Sequence, residues 1–283
     1  MTALGAEHAD FSFVHFTDTH LMVGERAKGS RVMSQLDTAK ALEQVIRAIN
    51  ILEPQPAFAV LGGDLVSPDL LDQNKVWTAD DYEPSYRLLK QVLVPLTCPA
   101  YMLMGNHDHR DAFHRVMQTD ASLPEAAHYY SFDHQGHHFI ALDSLVPGEH
   151  SGCIEIAQLD WLQADLAQHA EQPTVVFVHH HLWPIGVRWM DVQGLKNADE
   201  LEAVLRSHSQ VRWMICGHVH QDQHVERDGL TQLTTSATCF QISKVSQTPK
   251  LFPGPPSFRL VHVKGTSLST RVIHLHYDKP DDF

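Results

Sequence analysis

Short apolar runs alternate with amphipathic stretches along the first two thirds of this 283-residue chain. Phe11–Phe16 is apolar-rich and predicts a strand that ends at Thr17-Asp18. Leu42, Val45, Ile46, Ile49 and Leu52 then recur at helical spacing, with Asp37 as N-cap and Pro54 as the stop. Ala57–Leu61 is a second strand, closed by two glycines before Asp64. Leu88, Leu89, Val92 and Leu93 predict a helix before Pro95, and Tyr101–Met104 a third strand.

The alternation continues. Tyr129–Phe132 and His138–Asp143 read as a strand pair joined at Gln135-Gly136. Ile156, Leu159, Leu162 and Leu166 form a helical stripe, Thr174–Val178 a strand, and Leu201, Val204 and Leu205 another helix face. Val211–Cys216 is again a strand. Beyond residue 229 only strands are predicted: Leu230–Thr235, Phe258–Val263 and Ser267–Leu275. This order predicts an α/β core with mixed sheets. The polar stretch from Ser67 to Pro84 reads as a surface insertion, and Gln247–Pro256, with four prolines, as a loop that covers something. Neither resembles a linker, so residues 1–283 are read as one domain, with a strand-rich part at 229–276 completing the second sheet.

Charge narrows the partners. Lys and Arg number 21 against 34 Asp and Glu, a net charge of −13, with no basic run. Such a chain is repelled by a nucleic-acid backbone, so a polymer partner is not expected. Small phosphate esters stay open, because bound cations can supply local positive charge. Cys98, Cys153, Cys216 and Cys239 form no C-x-x-C pair and read as reduced and buried, which suits a cytoplasmic protein. Residues 1–10 show no secretory signal, and no apolar run has membrane-spanning length.

The chemistry lies in five blocks, each just past a predicted strand: Asp18-Thr19-His20, Gly62-Gly63-Asp64, Gly105-Asn106-His107-Asp108, His179-His180-His181 and Gly217-His218-Val219-His220. Taken singly, each has an ordinary explanation as a cap, turn or core histidine. Asp18 and His20 can turn toward one ion, and a carboxylate on a glycine turn, Asp64, can bridge two. Asn106 offers an amide oxygen. His107 is placed to reach a substrate, with Asp108 able to hold its tautomer. His179 leaves its strand directly, and His218 and His220 share one side of an extended segment. Many Asp, His and Asn donors without thiolate suit two divalent ions sharing a carboxylate. One dimetal site accounts for all five blocks at once; separate explanations require five coincidences.

The order and content of the blocks resemble the calcineurin-like metallophosphoesterases. Within that group the chain is most similar to bacterial class III 3′,5′-cyclic AMP phosphodiesterases, through Trp189-Met190-Asp191, Leu195-Lys196-Asn197-Ala198, Cys216 to Gln221 and Ser236 to Gln241 as well as the blocks. The resemblance implies a four-layer αββα sandwich of two mixed sheets flanked by helices. It puts one metal on Asp18, His20, Asp64 and His220, and a second on Asp64, Asn106, His179 and His218. A metal-bridging hydroxide would attack phosphorus. His107 and Asp108 would be the catalytic pair, and His20, Asp64, Asn106, His107 and His220 would touch the substrate. Two divalent or trivalent ions are implied, Fe or Mn first, with Zn, Co or Mg compatible. The expected partner is a small phosphodiester, cAMP first, with no membrane and a monomer or homodimer.

Local departures separate other branches. Purple acid phosphatases need Tyr three residues after the bridging Asp, where this chain has Ser67. Serine/threonine phosphatases carry an early Arg and a block ending in Glu, here replaced by Leu65-Val66-Ser67 and Asp108. Trp183, Val187 and Arg188 are untypical, and Trp183, Arg188 and Trp189 are the large side chains that the loop after His179 can offer to a nucleotide. Packing of both tryptophans against the core is the alternative. Other small diesters, such as glycerophosphodiesters, promiscuous phosphoester hydrolysis and a non-catalytic scaffold are the rival functions; the scaffold ranks last because every donor is present.

Overall fold

The computed structural model describes residues 10–24, 36–72, 74–117 and 128–277. The first half contains β1 (Phe11–Phe16), α1 (Thr38–Asn50), β2 (Ala59–Leu61), α2 (Ala79–Leu93), β3 (Ala100–Met102) and α3 (Arg110–Met117). Then come β4 (Tyr130–His134), β5 (His137–Leu142), α4 (Ile156–Gln168), β6 (Thr174–Val178), a short α5 (Arg188–Asp191), α6 (Ala198–Arg206) and β7 (Val211–Cys216). The remainder is β8 (Gln223–Arg227), β9 (Leu230–Thr234), β10 (Phe240–Ile242), β11 (Leu251–Pro253), β12 (Ser257–Lys264) and β13 (Ser267–His274).

Two mixed sheets result. One has the order β13-β12-β1-β2-β3, with β1, β2 and β3 parallel; the other has β4-β5-β6-β7-β9-β8, with β5, β6, β7 and β9 parallel. Successive strand residues face opposite sides, and both sides are apolar. Phe13 and Phe177 point between the sheets, where they meet Phe58, Phe139, Ile215 and Val261. Val14 and Phe16 point outward to Leu42, Ile46 and Ile49 of α1 and Tyr86 and Leu89 of α2. Val176 and Val178 point to Leu162 and Leu166 of α4 and Leu201 and Leu205 of α6. The four layers run helix, sheet, sheet, helix, in agreement with the expected fold class.

Four expectations change. α2 begins at Ala79, so the last third of the Ser67–Pro84 stretch is the opening of a packed helix. The Asp81 carboxylate accepts from the Thr78 N–H and hydroxyl at 2.9 and 2.8 Å, and Tyr82, Ser85 and Tyr86 are buried. The C-terminal strands do not form one unit: β9 joins β7 in the six-stranded sheet, whereas β12 pairs antiparallel with β1 in the other. The proline-rich segment contains β11, paired with β10. The four cysteines are unpaired, as expected, but only Cys216 and Cys239 are buried. No helix among the described residues is long and apolar enough to cross a membrane. The reading of residues 1–9 lies outside the described residues.

Candidate metal centre

All five blocks emerge at the carboxyl ends of parallel strands: β1, β2 and β3 from one sheet, β6 and β7 from the other. Backbone bonds lace the loops together. Asp18 N–H donates to Gly63 O at 3.0 Å, His20 N–H to Asp64 O at 2.9 Å, and Gly217 N–H to His179 O at 3.1 Å. The packing leaves no room for side chains at the turns: a Cβ on Gly63 would come within 2.6 Å of His179 Nδ1, and one on Gly105 would strike Asp64.

Among non-glycine described residues, seven have positive φ, and five of these are Asp18, His20, Asp64, His218 and His220, at 54°, 44°, 49°, 65° and 52°. Left-handed backbone costs such residues of order 1–3 kcal/mol each and concentrates at functional sites. Here it turns side chains two residues apart toward one point.

Six of the seven expected donors converge, and Asn106 lines the same cavity. His20 Nε2 and His220 Nε2 lie 3.2 Å apart, with Asp18 Oδ1 at 3.1 Å from the latter. Asp64 Oδ2 lies 3.6 Å from His20 Nε2 and 3.3 Å from His179 Nε2, while its Oδ1 accepts the His107 N–H at 2.8 Å. Asp64 thus belongs to two clusters, one with Asp18 and His20, the other with His179 and His218. Asn106 Oδ1, Asp18 Oδ1, His179 Nε2 and His218 Nε2 are buried without a hydrogen-bond partner among the described residues.

The tautomers explain these orphans. His179 Nδ1 donates to Gly62 O at 2.7 Å and His220 Nδ1 to Phe240 O at 2.7 Å, so each ring turns its Nε2 inward, toward a metal position. Burial would lower His179; Asp64 outweighs it and raises the imidazole to about 9, a pull that bound cations oppose. Burial lowers His20 to about 3 and His218 well below the ordinary imidazole range, which keeps both in the ligand form. Burial alone would raise the Asp64 carboxyl; the imidazoles of His179 and His107 outweigh it and hold it well below the usual range. Lone pairs converging at such distances repel unless a cation lies between them. The donor set fits two hard or borderline metal ions with Asp64 shared.

The position of Asp108 corrects the expected catalytic pair. Asp108 accepts from Gly105 N–H at 2.9 Å, Leu65 N–H at 3.1 Å and Tyr86 hydroxyl at 2.8 Å, and pins the Asp64 loop to the Asn106 loop. The carboxylate on the His107 ring is instead Asp69, whose Oδ2 accepts from Nδ1 at 2.6 Å. Asp69 sits in a 3-10 turn, Pro68–Leu71, within the stretch read as a surface insertion. Ser67, just before it, is hydrogen-bonded to His20 Nδ1. The sequence signal available was position alone, Ser67 and Asp69 following the shared Asp64 by three and five residues. Burial would lower His107; Asp69 and Asp64 outweigh it and raise the imidazole to about 9.

A cavity of about 250 Å³ opens over the donors, walled by Trp189, Met190, Phe240, Ile242 and Leu251. The proline-rich segment therefore borders the centre. Trp183 does not: it is buried against α6, donating Nε1–H to Glu202 at 2.7 Å, which is the packing alternative. Arg188 is exposed and Trp189 half-buried. Of the other block residues, His180 is hydrogen-bonded to Ser144 Oγ at 2.7 Å and His150 O at 3.1 Å, a structural histidine.

Residues 11–222 match the family described as calcineurin-like phosphoesterase. The chain is 30% identical to the 3′,5′-cyclic adenosine monophosphate phosphodiesterase CpdA of Pseudomonas aeruginosa over 90% of this chain and 86% of that one. It is 28% identical to "Probable glycerophosphodiester phosphodiesterase GpdQ" of Arcobacter nitrofigilis, covering 81% of this chain and 79% of the relative. In fold it resembles a dimetal phosphatase from Danio rerio, with a TM-score of 0.65 and 16% identity, covering 93% of this chain and 98% of that structure. The chain belongs to the calcineurin-like phosphoesterases and is an enzyme of phosphoester hydrolysis.

Proposed function

We propose that this protein is a dimetal phosphodiesterase that hydrolyses 3′,5′-cyclic nucleotides, cAMP first. The observation that carries the reading is the placement of His107. Its ring lies 5.3 Å from that of His20, edge-on, and is held from behind by Asp69 at 2.6 Å. It therefore stands over the donor cluster as a proton donor in fixed orientation. The relatives named for cyclic AMP, matched over most of their length, support cAMP.

Bound at the seven donors, two metal ions supply Lewis acidity and lower the pKa of water. The chain's own residues do the rest. Asp18, His20, Asp64 and His220 would hold one ion, and Asp64, Asn106, His179 and His218 the other. Protonated His107 delivers its proton to the departing oxygen, and Asp69 keeps the ring aligned and basic enough to remain charged until then. The apolar wall of Trp189, Phe240 and Ile242 suits a base or ribose face and excludes water. Fe and Mn are the ions we propose first; the donor set accepts Zn, Co or Mg as well. The site would act in the cytoplasm, as a monomer or homodimer.

A second reading, hydrolysis of glycerophosphodiesters, is favoured by the similarity to the GpdQ protein. Steady-state rates of metal-reconstituted protein on cAMP, cGMP, glycerophosphocholine and bis-p-nitrophenyl phosphate separate the two. The highest kcat/KM on cAMP is expected. A higher value on glycerophosphocholine would replace the proposal by the second reading.

A further inference from the structure

A larger cavity, of about 520 Å³, lies beside the metal centre on the other side of His107. Trp77, Tyr82, Arg110, Asp111, Pro147 and Glu149 form its walls. Asn106, His107 and His150 line this space and the smaller mouth alike, so the two meet at the His107 imidazole. His150 completes the junction, its ring 5.7 Å from that of His107.

In-line displacement puts the attacking and departing oxygens on opposite sides of phosphorus, and the proton donor marks the departing side. With His107 as donor, whatever leaves with that oxygen lies toward the larger cavity. The group retained on phosphorus stays in the mouth against Trp189 and Phe240. A cyclic nucleotide keeps its leaving oxygen tethered to the retained group and has no need of a second chamber. A linear diester, with two separate ester groups, needs both.

The charges of the larger cavity select among alcohols. Arg110, the one arginine among the described residues that line it, is committed to Asp143 at 2.6 and 2.9 Å and to Leu145 O at 2.7 Å. Glu149 is paired with Lys196, and Asp69 with His107. Asp111 has no ion-pair partner among the described residues and lies in the exposed first turn of α3. Among the described residues that line the cavity, an anion finds no uncommitted cation, whereas an ammonium finds a carboxylate and aromatic surface. Trp77 already carries the Lys75 ammonium, itself paired with Asp81 at 2.7 Å, 4.1 Å from its ring centroid.

We infer that this cavity is a leaving-group subsite for linear phosphodiesters that takes neutral or cationic alcohols and disfavours anionic ones. The inference rests on the phosphodiesterase reading of the centre, not on its preference for cAMP. Water adds to phosphorus, the P–O bond to the alcohol breaks, and the His107 proton goes to the departing alkoxide. The products are the free alcohol and a phosphomonoester.

The test uses the full-length, metal-reconstituted protein and three methyl phosphodiesters of matched size: the choline ester, its neutral neohexyl analogue and a carboxypropyl ester. Mass spectrometry identifies the alcohol released, and bis-p-nitrophenyl phosphate reports phosphodiesterase activity in the same preparation. Release of the larger alcohol rather than methanol is expected, with kcat/KM falling about tenfold or more from the choline to the carboxypropyl ester. Asp111→Arg, at an exposed position, should reverse that ratio. Methanol release, equal rates, a ratio unmoved by Asp111→Arg or no turnover of the three esters, beside intact cleavage of bis-p-nitrophenyl phosphate, overturns the subsite alone. Loss of that cleavage in the wild-type protein overturns the phosphodiesterase reading as well.

Discussion

His107 and Asp69, 38 residues apart in the chain, form a half-buried dyad: the ring Nδ1 donates to the carboxylate at 2.6 Å. A carboxylate in that position fixes the tautomer and stabilises the imidazolium.

The dyad sets a pH limb. With protonated His107 as the proposed acid, activity should fall as pH rises through its pKa, raised to about 9 by Asp69 and Asp64. Bound cations oppose the pull of Asp64 and bring this value down. Asp69→Asn removes a raising carboxylate and should move the alkaline limb of kcat lower by about 1–3 pH units. His107→Ala should reduce kcat about 10²–10⁴-fold with both metals still bound by elemental analysis. An Asp69→Asn profile superimposable on wild type would remove Asp69 from the mechanism.

Asp108 acts on stability. Tyr86→Phe deletes a fully buried hydroxyl that donates to Asp108 Oδ1 at 2.8 Å. A loss of about 1–3 kcal/mol is expected by urea denaturation, with the alkaline limb unmoved. A shifted limb without destabilisation would reassign Asp108 to His107.

Ser67 holds the ring of His20, a proposed metal ligand. Ser67→Ala leaves His20 Nδ1 without its partner and should weaken metal binding about 10–100-fold. Titration of the apoprotein with Mn²⁺ or Co²⁺ measures it directly; unchanged affinity would show that the hydroxyl is dispensable.

Metal removal should be felt by the whole fold. Metal at a hundredfold excess over its Kd adds about 2.7 kcal/mol, roughly 5–10 °C in Tm for a chain of this size. Chelator should abolish activity and lower Tm together. Acidification should lower Tm from about pH 6.5 downward, as unfolded histidines take up protons, but should strip the metals and activity only well below that, because buried His20, at about 3, and His218 stay neutral until then. Full activity in metal-free protein would end the dimetal reading.

Two tryptophans should separate cleanly. Trp189→Ala alters the wall of the mouth and should change kcat/KM for cAMP relative to bis-p-nitrophenyl phosphate, by about tenfold for a lost stacking face. Trp183→Ala creates a core cavity and should destabilise by about 3–5 kcal/mol without altering that ratio. An unchanged ratio for Trp189→Ala would place nucleotide preference elsewhere.

Apolar runs such as Phe11–Phe16 and Thr174–Val178, each ending in a donor block, were enough to indicate an α/β core with its chemistry at strand ends. The residues proposed as the seven donors stand out in the sequence too, because oxygen and imidazole ligands must cluster and a shared carboxylate suits a turn with glycines beside it. Local periodicity states which side chains are buried, not what they are buried against. The adjacent Asp108 was the natural partner for His107 along the chain. The fold instead turns Asp108 back onto the Gly105, Leu65 and Tyr86 donors and brings Asp69 across from the loop after β2. Strands β9 and β12 look alike in sequence, yet β9 pairs with β7 and β12 with β1 in different sheets. Trp183 and Trp189 share one loop, but only the path of that loop puts the first in the core and the second over the metal centre. Pairings across tens of residues are settled by packing between layers, which no window of neighbouring residues encodes.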